Sequence, residues 1–443
     1  MEQATCRLKQ NRYMEDYVLR SIPLAAFALM LAMSPSPAEA EPLSLQQAIE
    51  IARQANPALA AKQASALAAD EVPTRMGAWP DPMVFLGLMS SPPEALPYGK
   101  KAMTRSQIGF SQMIPFPGKL GLESIEAGHM ARAAHQMKDD LRLQIDQKVQ
   151  MAWWSVFYMD RGLENISDNQ QLLRQLIRVA ESKYKLGAGL QQDVLLAQLE
   201  LSKMLDEQIV MVSERKIMAE ELNALLGRAV PGSIEIPRKV DETLPELLPM
   251  QALVEKTLAN RPMLAGIAAE KEAAQARVDS AEKGYYPDFQ VTASYESGDV
   301  MSPGAEGMGM EQFNLMLGAT VPLFGPSKQA RLIAQRKKEL AAAGFMFEDA
   351  RNMAITTVTQ TIASYQRAKE QADLLRTGII PQASQTAESM RSGYEVNKVD
   401  FLNLVMAQIT LYNYQTRYWK TLAEANQALA TLAAAVGEEN VHE

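Results

Sequence analysis

The second half of this chain repeats the first. LSLQQAIEIARQANPAL (43–59) matches LPMQALVEKTLANRPML (248–264) and pairs Pro57 with Pro262. WPDP (79–82) matches YPDF (286–289), and QMIPFPGK (112–119) matches ATVPLFGP (319–326). YKLGAGLQQDVLLAQ (184–198) matches YEVNKVDFLNLVMAQ (394–408) without a gap, and NALLG (223–227) matches AAAVG (433–437). Five matches in one order, at offsets that grow only from 205 to 210, mean one structural unit used twice. Whatever the first unit (41–245) folds into, the second (246–443) must also fold into.

Each unit has the same internal order. A helix (about 45–75, then about 249–283) leads to a strand, a Gly/Pro/Ser-rich loop, a second strand and two long helices. The hairpins occupy 83–115 and 288–322. In DFQVTASYE (288–296), Phe289, Val291, Ala293 and Tyr295 face one side, and Gln290, Thr292, Ser294 and Glu296 the other. FNLMLGATVP (313–322) and SQIGFSQMIP (106–115) alternate in the same way, whereas MVFLGLMS (83–90) leaves its facing open. Alternating strands of 8–10 residues are the signature of a transmembrane β-barrel, apolar toward lipid and polar toward the lumen. A small soluble sheet packed on helices has the same periodicity. Trp79, Phe116, Tyr285, Tyr286 and Phe324 sit at strand ends, where an interfacial aromatic belt would lie.

The helices are longer than a globular domain needs. From Gly118 to Tyr184 there is no proline, and some 60 residues at about 1.5 Å each extend roughly 90–100 Å. In the last helix Val405, Ile409, Tyr412, Thr416, Trp419, Ala423, Asn426, Ala430 and Ala433 recur at alternating spacings of four and three, a coiled-coil-like seam. With 47% hydrophobic residues and a net charge of −8, the chain has the composition for a sizeable core and none of the basic, aromatic-laced stripes of a nucleic-acid binder.

Residues 1–40 run from Arg20 through an apolar stretch, Ile22 to Met33, to Ala38-Glu39-Ala40, the order of a cleaved secretory signal. Cleavage there removes Cys6, the sole cysteine, which suits an oxidising compartment. After it no run of 18 apolar residues follows, so no transmembrane helix is expected. The membrane contact, if any, falls to the strands. Strands in lipid must close into a barrel, because an open edge strands its backbone groups in hydrocarbon. One chain supplies four strands and the smallest membrane barrels have about eight, so closure needs several copies. The small residues of the polar faces, Gly109, Ser111, Ser294 and Gly318, favour an open lumen over a filled one.

The doubled plan, the helix start Y-x(8)-D/N-V/L-x(3)-Q seen twice, and the proline–glycine pair after each second strand resemble the TolC family of outer-membrane efflux factors. WPDPM (79–83) and the stretch SQMIPFPGKL are similar to its heavy-metal, CzcC/CusC-like branch. The resemblance covers residues 41–443. It implies a mainly α protein with a transmembrane β part: a long α-helical barrel continuous with a β-barrel shared between subunits, four strands per chain. It implies a homotrimer in the outer membrane of a Gram-negative bacterium, docked on a periplasmic adaptor (a membrane fusion protein) and an inner-membrane pump of the RND type. The chain would be a passive exit duct, for heavy-metal ions or alternatively for drugs or a type I secreted protein. A duct of this family contacts outer-membrane lipid and needs no cofactor.

Catalytic signatures are missing. There is no H-E-x-x-H, G-x-S-x-G or paired-cysteine motif, and His129 and His135, six apart, are not an i,i+4 ligand pair. Met301, Met308 and Met310 in the second hairpin are soft thioethers suited to Cu(I), a weak metal signal in a chain with 26 Met. In the family the two helix breaks form the periplasmic mouth, where acidic residues narrow the channel. The matching positions are Asp193 and Asn403, with Asp400 nearby. Met406 stands where a second acid is expected, so Asp400 is the alternative donor to the ring. Arg391, Lys398 and Lys185 are candidates to hold a closed state through ion pairs. A soluble periplasmic coiled-coil adaptor or scaffold is the competing class, and it would have no use for lipid-facing strands.

Overall fold

A computed structural model describes residues 42–89, 105–228, 232–300, 308–438 and 441–442. The secretory signal with Cys6 and the loop residue Met301 lie outside these residues. Ser44–Glu443 form one unit. Its elements are α1 (Leu45–Ala55), α2 (Pro57–Asp70), α3 (Val72–Gly77), β1 (Met83–Met89), β2 (Arg105–Ile114), α4 (Lys119–Lys185) and α5 (Gln191–Leu225). The second half follows with α6 (Met250–Asn260), α7 (Pro262–Lys283), β3 (Asp288–Val300), β4 (Met308–Thr320), α8 (Gln329–Leu374), a π-helical turn (Leu375–Ile379), α9 (Ile380–Glu395) and α10 (Phe401–Val436). No helix among the described residues is long and apolar enough to cross a membrane.

The leading helices expected at 45–75 and 249–283 are each broken. Pro57 and Pro262 take the first position of a new helix, where a missing N–H costs nothing. Ser44 starts α1 with a capping box, its Oγ accepting from Gln47 N while Gln47 Oε1 accepts from Ser44 N. Asn56 caps α2 by accepting from Ala58 N, and its Nδ2 donates to Leu225 O at 2.9 Å. This break is where the end of α5 docks. Gly227 ends that helix with φ +70, and a Cβ on it would lie 2.3 Å from Ala55 O. The second half does the same with Gly437, φ +85, against Asn260 O. The NALLG/AAAVG match therefore has a steric cause.

α4 is a single helix of 67 residues, about 100 Å long. Its counterpart reaches the same length only through α8, the π-helical turn and α9, because Pro381 lacks the N–H that an unbroken ladder would use. The main core lies where α4, α5 and α10 meet: Ile166, Leu173 and Leu176 pack with Met204, Met211, Phe401, Leu404 and Tyr412. All nine seam positions of α10 named from sequence are buried or half-buried.

The four strands form one sheet in the order β1-β2-β3-β4, every neighbour antiparallel. Register decides the two faces. Val84, Phe110, Ala293 and Leu315 stand in one row, and Leu86, Ile108, Tyr295 and Phe313 in another. All of these residues but the half-buried Ala293 are exposed, Leu86 to 79% and Phe313 to 70%. The opposite face carries the rows Phe85-Gly109-Ser294-Asn314 and Gly87-Gln107-Glu296-Gln312. The facing of β1, open in the sequence, is settled by pairing: Val84, Leu86 and Leu88 go with the apolar face. Phe85 goes with the polar one and lies over Gly109, whose absent Cβ would fall 2.2 Å from its ring.

Candidate functional site

Two regions hold the polar chemistry. The first is the helical tip, where α4 turns into α5 and α9 into α10. Both turns close with the same pair of backbone bonds. Gly187 N donates to Tyr184 O and Ala188 N to Lys183 O; Asn397 N donates to Tyr394 O and Lys398 N to Gly393 O. The left-handed residue is Gly187 in one turn and Asn397 (φ 59) in the other, the single non-glycine with positive φ among the described residues. Asparagine tolerates that conformation because its short side chain bonds locally.

The two turns are tied together by Lys183. Its ammonium donates to Tyr394 O and to Asn397 Oδ1, both at 2.7 Å, and sits 3.9 Å from the Tyr394 ring centroid. Tyr394 is buried against Phe401, ring centroids 5.3 Å apart. Burial, and then the nearby Asp193 carboxylate, push the Tyr394 phenol above its ordinary pKa. Asp193 lies half-buried in the first turn of α5, where the helix dipole favours a carboxylate. Asn403 is its counterpart in α10, exposed. Asp400 is the N-cap residue of α10, yet its side chain makes no capping bond and is exposed. Asp193 and Asp400 thus each stand at the start of the helix that follows one of the two turns. Arg391 pairs at 2.6 Å with Glu388 on its own helix and, among the described residues, reaches no acid on another. Lys398 and Lys185 are exposed.

The second region is the polar face of the sheet. Gln107 Nε2 donates to Ser294 Oγ (3.1 Å), Asn314 Nδ2 to Glu296 Oε1 (3.0 Å) and Gln290 Nε2 to Ser111 Oγ (2.7 Å). Ser111 and Thr292 hydroxyls are 3.0 Å apart, and Arg105 lies 3.5 Å from Glu296. Glu296, almost fully buried, is the centre of this network. Met308 and Met310 pair in β4 opposite Val300 and Gly298. His129 and His135 each face a carboxylate on a neighbouring helix: His129 lies 2.9 Å from Glu272 and His135 2.9 Å from Asp70. Among the described residues no cluster of three or more His, Cys, Asp or Glu has a metal-binding arrangement.

Lys183 and Tyr394 were not picked out from the sequence, and Glu296 was read only as one residue of a polar strand face. Lys183 looks like any helix-end lysine; its equivalent 210 positions later is Gly393, so the repeat hides it.

Residues 253–438 match the family model of the outer membrane efflux proteins. CzcC, a cobalt-zinc-cadmium resistance protein of Cupriavidus metallidurans, is 28% identical over 223 residues, 49% of this chain and 50% of CzcC. The fold agrees over far more of the chain. The structure of CusC superposes with a TM-score of 0.75 at 15% identity, covering 89% of this chain and 92% of CusC. The Campylobacter jejuni CmeC outer membrane channel gives 0.75 at 13% identity, covering 89% and 86%. Residues 253–438 are thus similar to the outer membrane efflux proteins, and the chain shares the fold of outer-membrane channels. Its fold is that of the CusC and CmeC channels, and about half of it is similar in sequence to CzcC. The match to CzcC spans about half the length of that protein.

Proposed function

We propose that this protein is the outer-membrane duct of a tripartite efflux system, a passive exit for heavy-metal ions and not an enzyme. The observation that carries the reading is the sheet. One face is an exposed apolar surface, the other a hydrogen-bonded polar layer, and both edges, β1 and β4, are unpaired among the described residues. Water solvates such an apolar face poorly, and lipid accepts it without cost. The edges need partners there.

The helices support closure by further copies. α10 packs between α4 and α8 and buries fourteen of its residues; its counterpart α5 packs chiefly on α4 and buries six. On α5, Leu195, Leu199, Ile209, Val212 and Ile217 stay exposed, and on α8 so do Phe345, Met346 and Met353. Three copies, the number the family resemblance implies, close twelve strands with the polar layer inward. The helices then continue the wall, and the tips converge at a mouth carrying Asp193, Asp400 and Asn403. Lys183 holds each protomer's two tips together, while Arg391 and Lys398 add charge beside them. Narrow acidic rings favour cations. The metal cargo follows from the likeness to CzcC, whose name ties it to cobalt, zinc and cadmium. A periplasmic adaptor and an inner-membrane pump supply substrate and energy.

The tests are separable. The protein extracted from outer membranes should run as a trimer by native mass spectrometry and conduct in planar bilayers. Recovery in the soluble periplasm without detergent would sink the reading. Deletion of the gene should sensitise cells to cobalt, zinc or cadmium; sensitivity to drugs alone would transfer the cargo to that class.

A further inference from the structure

The chain contains a finished copy of a seam that its free edges lack. Between the two repeats, β2 pairs with β3 and the turn after β2 packs on the residues before β3. Asp288 Oδ1 accepts Phe116 N at 2.8 Å and Lys119 Nζ at 2.7 Å. Phe116 stacks on Tyr286, ring centroids 4.4 Å apart. The two hairpins have one register under the 207-residue shift: Met83 opposite Ser111 becomes Gln290 opposite Gly318. The repeat equivalents of the seam residues are therefore defined. Asp288 corresponds to Asp81, Tyr286 to Trp79, and Phe116 to Leu323.

Those equivalents lie at opposite edges of the sheet. Asp81 is exposed and without a partner among the described residues. Trp79, Leu323 and Phe324 are exposed, Leu323 to 79%. The Leu323 amide turns back on Val321 O at 2.9 Å, where Phe116 N reaches a carboxylate.

We infer that the contact between neighbouring copies repeats the β2–β3 seam. β4 of one copy pairs antiparallel with β1 of the next, Gly318 opposite Phe85 and Leu317 opposite Leu86. The Asp81 carboxylate accepts the Leu323 amide, and Trp79 packs on Leu323 and Phe324. This register deepens the closed-duct reading and rests on it. Two features not used to derive it agree. It places Leu86 with Leu317 and Val84 with Ala319, apolar with apolar, on the exposed face. It also sets Phe85 between Gly109 of its own chain and Gly318 of the neighbour, and a Cβ on Gly318 would meet nothing closer than 3.8 Å. The phenyl ring thus has glycine on both flanks. The match is incomplete at one point. Pro326 stands at the position of Lys119, so the seam between copies keeps the amide bond and loses the ammonium.

Cysteine pairs test the register. The internal equivalent of Phe85/Gly318 is Thr292/Ser111, whose hydroxyls are 3.0 Å apart, so cysteines at 85 and 318 fall within disulfide reach. In a Cys6→Ser background, Phe85→Cys with Gly318→Cys should give oxidation-dependent covalent trimers in outer membranes. Phe85→Cys with Met316→Cys or with Thr320→Cys, a slip of two residues either way, should not. Should Phe85→Cys fail to fold, Val84→Cys with Ala319→Cys reads the same register. Asp81→Ala should lower the temperature at which the trimer dissociates. A native trimer that cross-links at 316 or 320 in preference to 318 overturns this register and leaves the duct standing. Failure to find any trimer overturns the duct itself.

Discussion

Replacing Lys183 by methionine tests the mouth directly. The substitution keeps an unbranched apolar stem and removes the ammonium that bridges the two helical turns. A hydrogen bond from a charged donor contributes about 1.5–3 kcal/mol, and a cation above an aromatic ring at an exposed site about 0.5–1 kcal/mol. Lys183 is only half-buried, so the low end applies and the solvated alternative is favourable. A working value is about 2 kcal/mol per protomer, near a 30-fold shift in a closed–open equilibrium. In the proposed duct the mouth opens by parting the two turns, so the loss falls on the closed state. Single-channel recording in planar bilayers should show larger or more frequent openings for Lys183→Met, and Lys183→Arg should restore part of the closed behaviour. Unchanged conductance in an intact trimer would refute the assignment of Lys183 as the tie.

Asp193→Ala and Asp400→Ala should each reduce cation preference, measured as a shift of reversal potential in a salt gradient, with the double variant lowest; no shift in any of the three removes the acidic ring. Gly227→Ala combines a left-handed backbone with a Cβ 2.3 Å from Ala55 O and should cost about 2–5 kcal/mol, seen as a clear drop in unfolding temperature. Gly187→Ala shares the positive φ but meets no atom within 4 Å, so it should cost only about 1 kcal/mol. Tyr365, Tyr394, Tyr412 and Tyr418 all have phenols raised above the ordinary 10.0 by burial. Because the folded value is the higher one, their contribution is intact below pH 10 and is lost as pH climbs through the folded values. Thermal melts should therefore stay level through neutral pH and fall steeply above about 10, with tyrosinate absorbance appearing late in the folded protein.

The repeat, the strand alternation and the helix length were legible from residues alone, because each is set by local periodicity. Gln290 and Val291 must face opposite ways in any strand, whereas the breaks at Pro57 and Pro262 went unread inside the single helices expected over 45–75 and 249–283. The facing of β1 was not legible: MVFLGLMS is apolar at nearly every position, and only pairing with β2 sends Leu86 outward and Phe85 over Gly109. Lys183 escaped for a related reason. Its partners Tyr394 and Asn397 lie more than 200 residues away, and the repeat puts Gly393 at its mirror position.

Taken by itself, then, the sequence determined the elements, their doubled order and the fact that four strands cannot close alone. The tertiary structure decided which groups meet. Register turned an alternating pattern into one lipid-compatible face and one polar layer, and the docking of α4 against α10 brought a lysine to a distant carbonyl. Periodicity is written into neighbouring residues; a contact across the chain depends on how whole helices and strands slide past one another, and that is chosen by packing.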